Sequence, residues 1–369
     1  MNTEYSSCKY YQQKTIGSEN MAQRLGKYTL LLPTKPVISG YAAVAGKKEG
    51  EGPLADKFDF VYEDSAAGEK TWEKAESTIH GDAVRRAISK AGVTEEQVNM
   101  IFAGDLLNQC IGTTFGIRET GIPFAGVYGA CSTMALSMAM AALSVDTSVA
   151  ETAVASTSSH FCSAEKQFRM PLEYGGQRTP TAQWTATAAG ATVIGQKKPE
   201  NSTKKRIAFI DKIIIGRICD YGIKDANNMG AAMAPAACTT IADFLRDTNT
   251  KPEDYDMILT GDLGAVGSKL LCELMVKQEN TDISGVHKDC GLILFDIAKQ
   301  KDVGAGGSGC GCSGAVLCSE ILPRIENGEL RRVLFVGTGA LMSSVSSLQN
   351  ESIPAIAHGV LIEGGDVNE

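Results

Sequence analysis

The stretch TEEQVNMIFAGDL, residues 94–106, occurs a second time as KPEDYDMILTGDL, residues 251–263. Six aligned positions are identical at a constant shift of 157 residues (251 − 94). Each copy holds a short apolar run typical of a buried strand, and each run ends at Gly-Asp-Leu. Helix-like sequence precedes both copies, at residues 80–91 and 239–248. The repeat therefore predicts that one α/β unit occurs twice in the chain.

A weaker match lies further along both halves. GACS, residues 129–132, resembles GCS, residues 311–313, and each opens a helix-like stretch that leads to an apolar strand. Strands that alternate with helices predict a largely parallel sheet with helices on both faces. We assign residues 1–25 to a flexible N-terminal tail, residues 26–200 to the first half and residues 201–369 to the second.

Composition narrows the class of protein. The 369 residues carry a net charge of −8, which argues against a nucleic-acid-binding protein because such proteins present a basic face. The eleven cysteines lie mostly in apolar or Gly-rich runs with no signal peptide before them, and this favours reduced thiols. No stretch reaches the roughly 18 apolar residues of a transmembrane segment. We expect a soluble protein, held at any membrane by integral partners.

Polar residues follow the predicted strands at Gly104-Asp105, Gly261-Asp262 and the stretch 156–160. Ligands of such folds collect at the carboxyl ends of strands, so these positions are candidates for a pocket. Asp105 and Asp262 can equally form turns or cap helices, and His160 can equally be a structural histidine. The sequence leaves both interpretations open.

Cys131 lies on a turn of small residues between the apolar run 123–127 and the start of a helix. The N-terminus of a helix lowers the pKa of a thiol or binds an anion. The alternative is a small buried core cysteine, which is how most cysteines behave.

The turn and its helix resemble the nucleophile turn of the thiolase superfamily, and of ketoacyl-ACP synthase III in particular. The resemblance spans about residues 35–363 and implies a thiolase-like α/β fold, with two similar halves in a five-layered αβαβα arrangement. Condensing enzymes of this kind use a His and an Asn, expected here within 259–263 and 308–313. Neither stretch contains one, and Asp262 occupies the approximate place of the His. An aspartate near Cys131 raises the thiol pKa, whereas condensation needs it lowered.

Longer motifs indicate one family within that superfamily. Six stretches stand in the order known from the stage V sporulation protein AD family: GDLLNQ (104–109), GACST (129–133), SSH with AEKQFR (158–169), EYGGQ (173–177), MAPAA (233–237) and IPAIAHGV (353–360). The resemblance implies a protein that binds dipicolinic acid, pyridine-2,6-dicarboxylate, and is not an enzyme. It implies a place beside the other SpoVA membrane proteins, peripheral at the inner membrane of the developing spore. That system takes up dipicolinate in sporulation and releases it in germination. A condensing acyltransferase acting through Cys131 is the alternative.

Dipicolinate is a flat ring with two carboxylates, so its site needs donors at both ends and an apolar slot between them. We predict that the ligand-binding residues are Cys131, His160, Lys166, Gln167, Arg169, Asp262, Asp105 and Asn108. A solvated charged loop is the alternative for Lys166 and Arg169. Calcium takes about six to eight oxygens, more than we can assign, so we expect no resident cofactor and calcium only with the ligand. The superfamily also implies a homodimer.

Overall fold

The computed structural model describes residues 21–168, 178–196 and 206–366. Its strands are β1 (Gln23–Leu25), β2 (Thr29–Leu31), β3 (Val37–Ala45), β4 (Phe60–Val61), β5 (Met100–Gly104), β6 (Phe124–Gly126), β7 (Thr152–Ser159), β8 (Trp184–Thr185), β9 (Ala188–Gly195), β10 (Arg206–Ile214), β11 (Met257–Thr260), β12 (His287–Asp289), β13 (Gly307–Ser308), β14 (Arg332–Ala340) and β15 (Ala355–Asp366). Of the tail predicted for residues 1–25, residues 1–20 lie outside the described residues and 23–25 form β1.

Helices connect these strands. They are α1 (Lys47–Gly50), α2 (Trp72–Ala91), α3 (Ile111–Ile117), α4 (Thr133–Asp146), α5 (Phe161–Phe168), α6 (Met229–Thr248), α7 (Gly264–Glu279), α8 (Cys290–Leu294), α9 (Cys310–Val316), α10 (Leu322–Glu326) and α11 (Ser344–Leu348). A π-helical turn, Leu317–Ile321, joins α9 to α10.

The two halves repeat one strand order. The order is β6-β5-β7-β9-β3 in the first half and β12-β11-β14-β15-β10 in the second, and β3 meets β10 where Val37 pairs with Phe209. Three strands of each half are parallel, whereas β9 and β3, like β15 and β10, pair antiparallel. The prediction of a largely parallel sheet was therefore wrong. Each half is mixed because an antiparallel neighbour needs no crossover helix to reverse the chain.

Side-chain alternation along the strands separates the layers. In β5, Ile101 packs against α2 while Phe102 faces the central helices. In β14, Leu334 packs against α6 while Phe335 faces the same central helices. The order is thus α2 and α3, the first sheet, α4 with α9 and α10, the second sheet, then α6 and α7. This arrangement confirms the five-layered αβαβα fold.

The two helices that precede the repeats are longer than the sequence predicts, and the difference lies at their N-terminal ends. The helices before the two repeats end at Ala91 and Thr248 as predicted, each followed by a left-handed residue, Gly92 or Asn249. Both begin earlier than predicted, α2 because the Thr71 side chain caps it. The apolar α4 lies in the central layer with most of its residues buried. Within the described ranges, the length and apolar character needed to cross a membrane do not occur together in any helix.

Candidate functional site

Cys131 lies on a tight turn directly before α4. Ala130 adopts a left-handed conformation with φ of 49°, and Gly129 O accepts hydrogen bonds from Ser132 N (3.0 Å) and Ser132 Oγ (2.6 Å). A Cβ at Gly339 would lie 2.2 Å from Gly129 O, so the end of β14 can approach the turn only through a glycine. These contacts fix a thiol that is only 5% exposed.

Asp262 is fully buried, and its carboxylate is surrounded by donors. Thr338 Oγ1 donates to Oδ1 (2.8 Å), while Gly309 N (2.8 Å) and Ser308 Oγ (3.2 Å) donate to Oδ2. The Cys131 thiol also donates to this carboxylate. The residue in the approximate place of a catalytic histidine is therefore a hydrogen-bonded acceptor that contacts Cys131.

The electrostatics of this contact oppose nucleophilic chemistry. Burial is the largest cause that raises the pKa of the Cys131 thiol well above its usual value, and the Asp262 charge adds to it. Burial also raises the pKa of Asp262, although hydrogen bonds from Cys131, Gly309 and Thr338 oppose that shift. Since the thiolate is the nucleophilic form, Cys131 is a protonated donor at neutral pH.

Cys310 stands in the stretch where an asparagine was expected. It is the first residue of α9, it is fully buried, and its thiol donates to Ser158 O (3.0 Å). Burial raises the pKa of this thiol as well. The weaker sequence match pointed instead to Cys312, which lies inside the first turn of α9. Cys310 was not among the predicted ligand-binding residues, although the stretch that contains it was expected to reach the site.

A small apolar wall surrounds the two thiols. Five buried residues form it, namely Leu106, Ala130, Cys131, Ala164 and Cys310, with Phe168 and Leu341 packed against them. Ala164 and Phe168 are four residues apart on α5, so one face of that helix packs over this wall.

Asp105, which occupies the position of Asp262 in the first repeat, forms hydrogen bonds within the turn that follows β5. It accepts hydrogen bonds from Leu107 N (2.7 Å), Thr113 N (2.7 Å) and Thr113 Oγ1 (2.6 Å). These are the contacts of a turn and of the start of α3, one of the two roles that the sequence left open. Burial raises the pKa of this carboxyl.

His160 uses both ring nitrogens within the protein. Nε2 donates to Ser65 O (2.7 Å), Nδ1 accepts from Cys162 N (3.2 Å), and the ring lies 5.5 Å from that of Trp72. Burial lowers the pKa of His160, which is therefore neutral at pH 7. These contacts give His160 a structural position at the end of β7.

The remaining predicted site residues lie around α5 and the turn after β5. Lys166 forms an ion pair with Glu73 of α2, on a different side of α5 from Ala164. Neither Gln167 nor Asn108 has a side-chain hydrogen bond to another described residue, and Asn108 is exposed. Arg169 lies outside the described residues. The structure thus brings Cys131 and Asp262 together, while Lys166 points to α2.

Glu76 is a buried site neighbour that the sequence reading missed. Ser163 Oγ (2.5 Å) and Ser158 Oγ (3.2 Å) donate to its carboxylate, and this holds α5 against α2 and β7. Burial, and then the nearby Asp105, raises the pKa of Glu76 to about 8. His80, one turn further along α2, contacts Ser158 Oγ through Nδ1 (3.2 Å). Glu76 preceded the predicted start of its helix, so its buried face was not considered.

Calcium fits these residues poorly. Within the described ranges, no three His, Cys, Asp or Glu side chains are arranged to hold a metal ion. The oxygens of Asp105 and Asp262 already accept hydrogen bonds from protein donors. A calcium ion here would therefore depend on oxygens that another molecule supplies.

Solved structures share the fold of the chain. The 3-oxoacyl-[acyl-carrier-protein] synthase III of Aquifex aeolicus VF5 is 11% identical with a TM-score of 0.50, covering 89% of this chain and 99% of that one. The acetyl-CoA acetyltransferase of Syntrophomonas wolfei is 13% identical with a TM-score of 0.52, covering 89% and 99%. At these identities the likeness establishes the thiolase-like fold alone.

Sequence comparison is more specific. The sequence model of "Stage V sporulation protein AD (SpoVAD)" matches residues 26–363. Stage V sporulation protein AD of Bacillus subtilis (strain 168) is 41% identical over 338 residues, covering 92% of this chain and 97% of that protein. The chain therefore belongs to the stage V sporulation protein AD family.

Proposed function

We propose that this chain binds dipicolinate at a site beside Cys131 and catalyses no condensation there. The contact between Asp262 and the Cys131 thiol carries the proposal. A condensing enzyme places a base near its cysteine to remove the proton, whereas here a buried carboxylate helps to keep the proton on sulfur. The cysteine turn of the fold is present, but its thiol is held in the unreactive form.

The surroundings of Cys131 offer complementary features for a flat aromatic ligand. Leu106 and Ala164 provide apolar walls beside Cys131. The side-chain amides of Asn108 and Gln167, close to these walls in the chain, form no hydrogen bond to another described residue and can donate to a carboxylate.

Two acidic residues near the proposed site repel the dipicolinate dianion. The Asp105 and Asp262 carboxylates are satisfied by protein donors, which reduces but does not remove their repulsion of a dianion. The calcium chelate of dipicolinate avoids this repulsion because the metal offsets the charge of the ligand. We therefore propose that binding strengthens when calcium is present.

The family name supports a role in sporulation. Within this proposal the chain acts beside other SpoVA membrane proteins, peripheral at the inner membrane of the developing spore. There it takes part in dipicolinate uptake during sporulation and in its release during germination. We propose a homodimer for this state, by analogy with its fold.

Isothermal titration calorimetry of the full chain with dipicolinate tests the proposal, with and without calcium. Isophthalate is the matched ligand control, since it keeps both carboxylates and lacks the ring nitrogen. Cys131→Ala should weaken dipicolinate binding at least fivefold. Cys318→Ala, a buried cysteine elsewhere in the core, should leave it unchanged. Absence of heat at millimolar dipicolinate in both conditions would refute the proposal.

One observation favours the alternative, an acyltransferase. Cys131 stands at the N-terminus of α4 on a left-handed turn, a placement that suits a nucleophile. Mass spectrometry after incubation with acetyl-CoA decides between the two functions. We expect no acyl adduct on Cys131, and a stoichiometric adduct would establish the enzyme instead.

A further inference from the structure

A groove runs along the outer layer of the first half, between α2 and α3, away from Cys131. Its volume is about 740 Å³. The floor is fixed because the two helices approach through glycines: a Cβ at Gly81 would lie 2.4 Å from Gly116 O, and a Cβ at Gly116 would lie 2.6 Å from Ser77 O. A recess built this way exists before any partner arrives, which lowers the entropic cost of binding.

The α3 wall of the groove exposes an apolar stripe. Ile111 and Phe115 are one turn apart and are 40% and 50% exposed. The Arg118 guanidinium lies 5.0 Å from the centre of the Phe115 ring, so a cation sits at the end of the stripe. Exposed aromatic and arginine side chains in a recess are the types that dominate binding at protein interfaces.

The groove carries an excess of free positive charge. Lys74, Arg85 and Arg118 line it, and none forms an ion pair with a described residue. One of its acidic side chains, Glu73, is compensated by an ion pair with Lys166. Glu69 and Glu119 also line the groove and have no ion pair with a described residue, although Glu69 accepts a hydrogen bond from the neutral Thr78 Oγ1 (3.0 Å). Among the described residues, three unpaired cations thus face two unpaired acids, on a chain whose net charge is −8.

We propose that the groove between α2 and α3 receives an acidic amphipathic segment of a partner protein. Apolar side chains of that segment would pack on Ile111 and Phe115, while its carboxylates would meet Arg85, Arg118 and Lys74. A recess favours a protein segment over a lipid surface, because a planar bilayer cannot reach the floor between two helices. This proposal does not depend on dipicolinate binding.

The groove is also connected to the proposed site beside Cys131 through its own walls. Thr113 of α3 holds Asp105 by its N–H and its hydroxyl, while Ile111 and Phe115 of the same helix face the groove. Glu73 of the α2 wall pairs with Lys166 of α5, whose Ala164 packs beside Cys131. A partner in the groove would therefore contact the two helices that border that site.

The probe is a library of random 12-residue peptides displayed on phage and selected on the full chain. Counter-selection uses the double variant Arg85→Glu, Arg118→Glu. The matched control is Lys269→Glu, Lys288→Glu, which makes the same charge change at exposed positions of the second half. Circular dichroism checks that all three proteins are folded. Binding of the selected peptides is measured by fluorescence anisotropy.

We expect the selected peptides to combine acidic with apolar residues. They should bind the groove variant (Arg85→Glu, Arg118→Glu) at least tenfold more weakly than wild type. Their affinity for the control variant (Lys269→Glu, Lys288→Glu) should be within twofold of that for wild type. Peptides with their acids replaced by lysine should prefer the groove variant. A basic or neutral consensus, or equal binding to all proteins, would overturn the proposal. Phosphatidylglycerol vesicles that bind wild type but not the groove variant would also overturn it, in favour of a lipid site.

Discussion

Asp105 and Asp262 occupy the same position of the repeat, yet their carboxylates bind different parts of the protein. The Asp105 carboxylate is satisfied within its own half, by Leu107 and Thr113. The Asp262 carboxylate instead joins separate segments of the second half and reaches Cys131 of the first. Duplication preserved the strand and the turn, while the side-chain contacts at the turn diverged.

A third aspartate, Asp289, explains why Asp262 does not have to accept the hydrogen bonds of its own turn. Asp289, at the end of β12, accepts hydrogen bonds from Leu263 N (2.8 Å) and Gly264 N (3.0 Å), the turn donors of the second half. In the first half Asp105 itself accepts the turn donors, and β6, the counterpart of β12, carries no carboxylate. Asp289 therefore takes over the role that Asp105 performs alone, and Asp262 is available to contact Cys131.

The largest effect should follow from Asp262→Ala. This change leaves the Gly309 N–H and the Thr338 and Ser308 hydroxyls without their acceptor in a buried site. We expect a loss of about 3 kcal/mol in the free energy of unfolding, measured by urea denaturation. Thr338→Val removes a single hydroxyl and should cost about 1 kcal/mol. Equal losses in the two variants would show that Asp262 does not hold the segments together.

The reactivity of the Cys131 thiol should respond to substitution of Asp262 but hardly to substitution of Asp105. Asp262→Asn removes a charge that raises the Cys131 pKa, so the pKa should fall and alkylation at pH 8 should become roughly three- to tenfold faster. Asp105→Asn should change the rate less than twofold, because burial and Asp262 are the leading causes of the shift at Cys131. The measurement is iodoacetamide labelling followed by peptide mass spectrometry. Similar acceleration in both variants would contradict the comparison.

The repeat made the fold predictable, since two copies of a strand that ends in Gly-Asp-Leu imply two similar halves. The strand directions were not predictable, because β9 and β15 return antiparallel and apolar runs carry no sign of direction. In the site, the resemblance to condensing enzymes implied that Asp262 stands near Cys131, and the structure has this contact. The sequence did not indicate that Lys166 pairs with Glu73, because tertiary packing decides which side of a short helix faces its neighbour. Asp289 was also missed, because its partners lie about 25 residues away along the chain.

The pH dependence of stability tests the buried acids of the first half. Burial and Asp105 raise the pKa of Glu76 from 4.5 to about 8, so the folded chain holds this proton more tightly than the unfolded chain. The stability that Glu76 contributes is therefore present below pH 4.5 and is lost as the pH rises towards 8. Between pH 6.5 and 8, wild type should lose on the order of 1 kcal/mol relative to Glu76→Gln. Urea denaturation of both proteins across this range measures the difference, and parallel curves would contradict it.

The smallest effect on stability should come from Lys166→Gln. Its ion pair with Glu73 joins two side chains that are each more than a third exposed, so the change should cost under about 0.5 kcal/mol. This small cost makes Lys166 a clean test of where the ligand binds. If dipicolinate lies against Cys131 alone, Lys166→Gln should leave its affinity within twofold, whereas Cys131→Ala weakens it. A loss of fivefold or more in Lys166→Gln, at unchanged stability, would place a ligand carboxylate on the α2 side of α5. The ligand would then bridge the two sides of that helix, and the surroundings of Cys131 would be only part of its site.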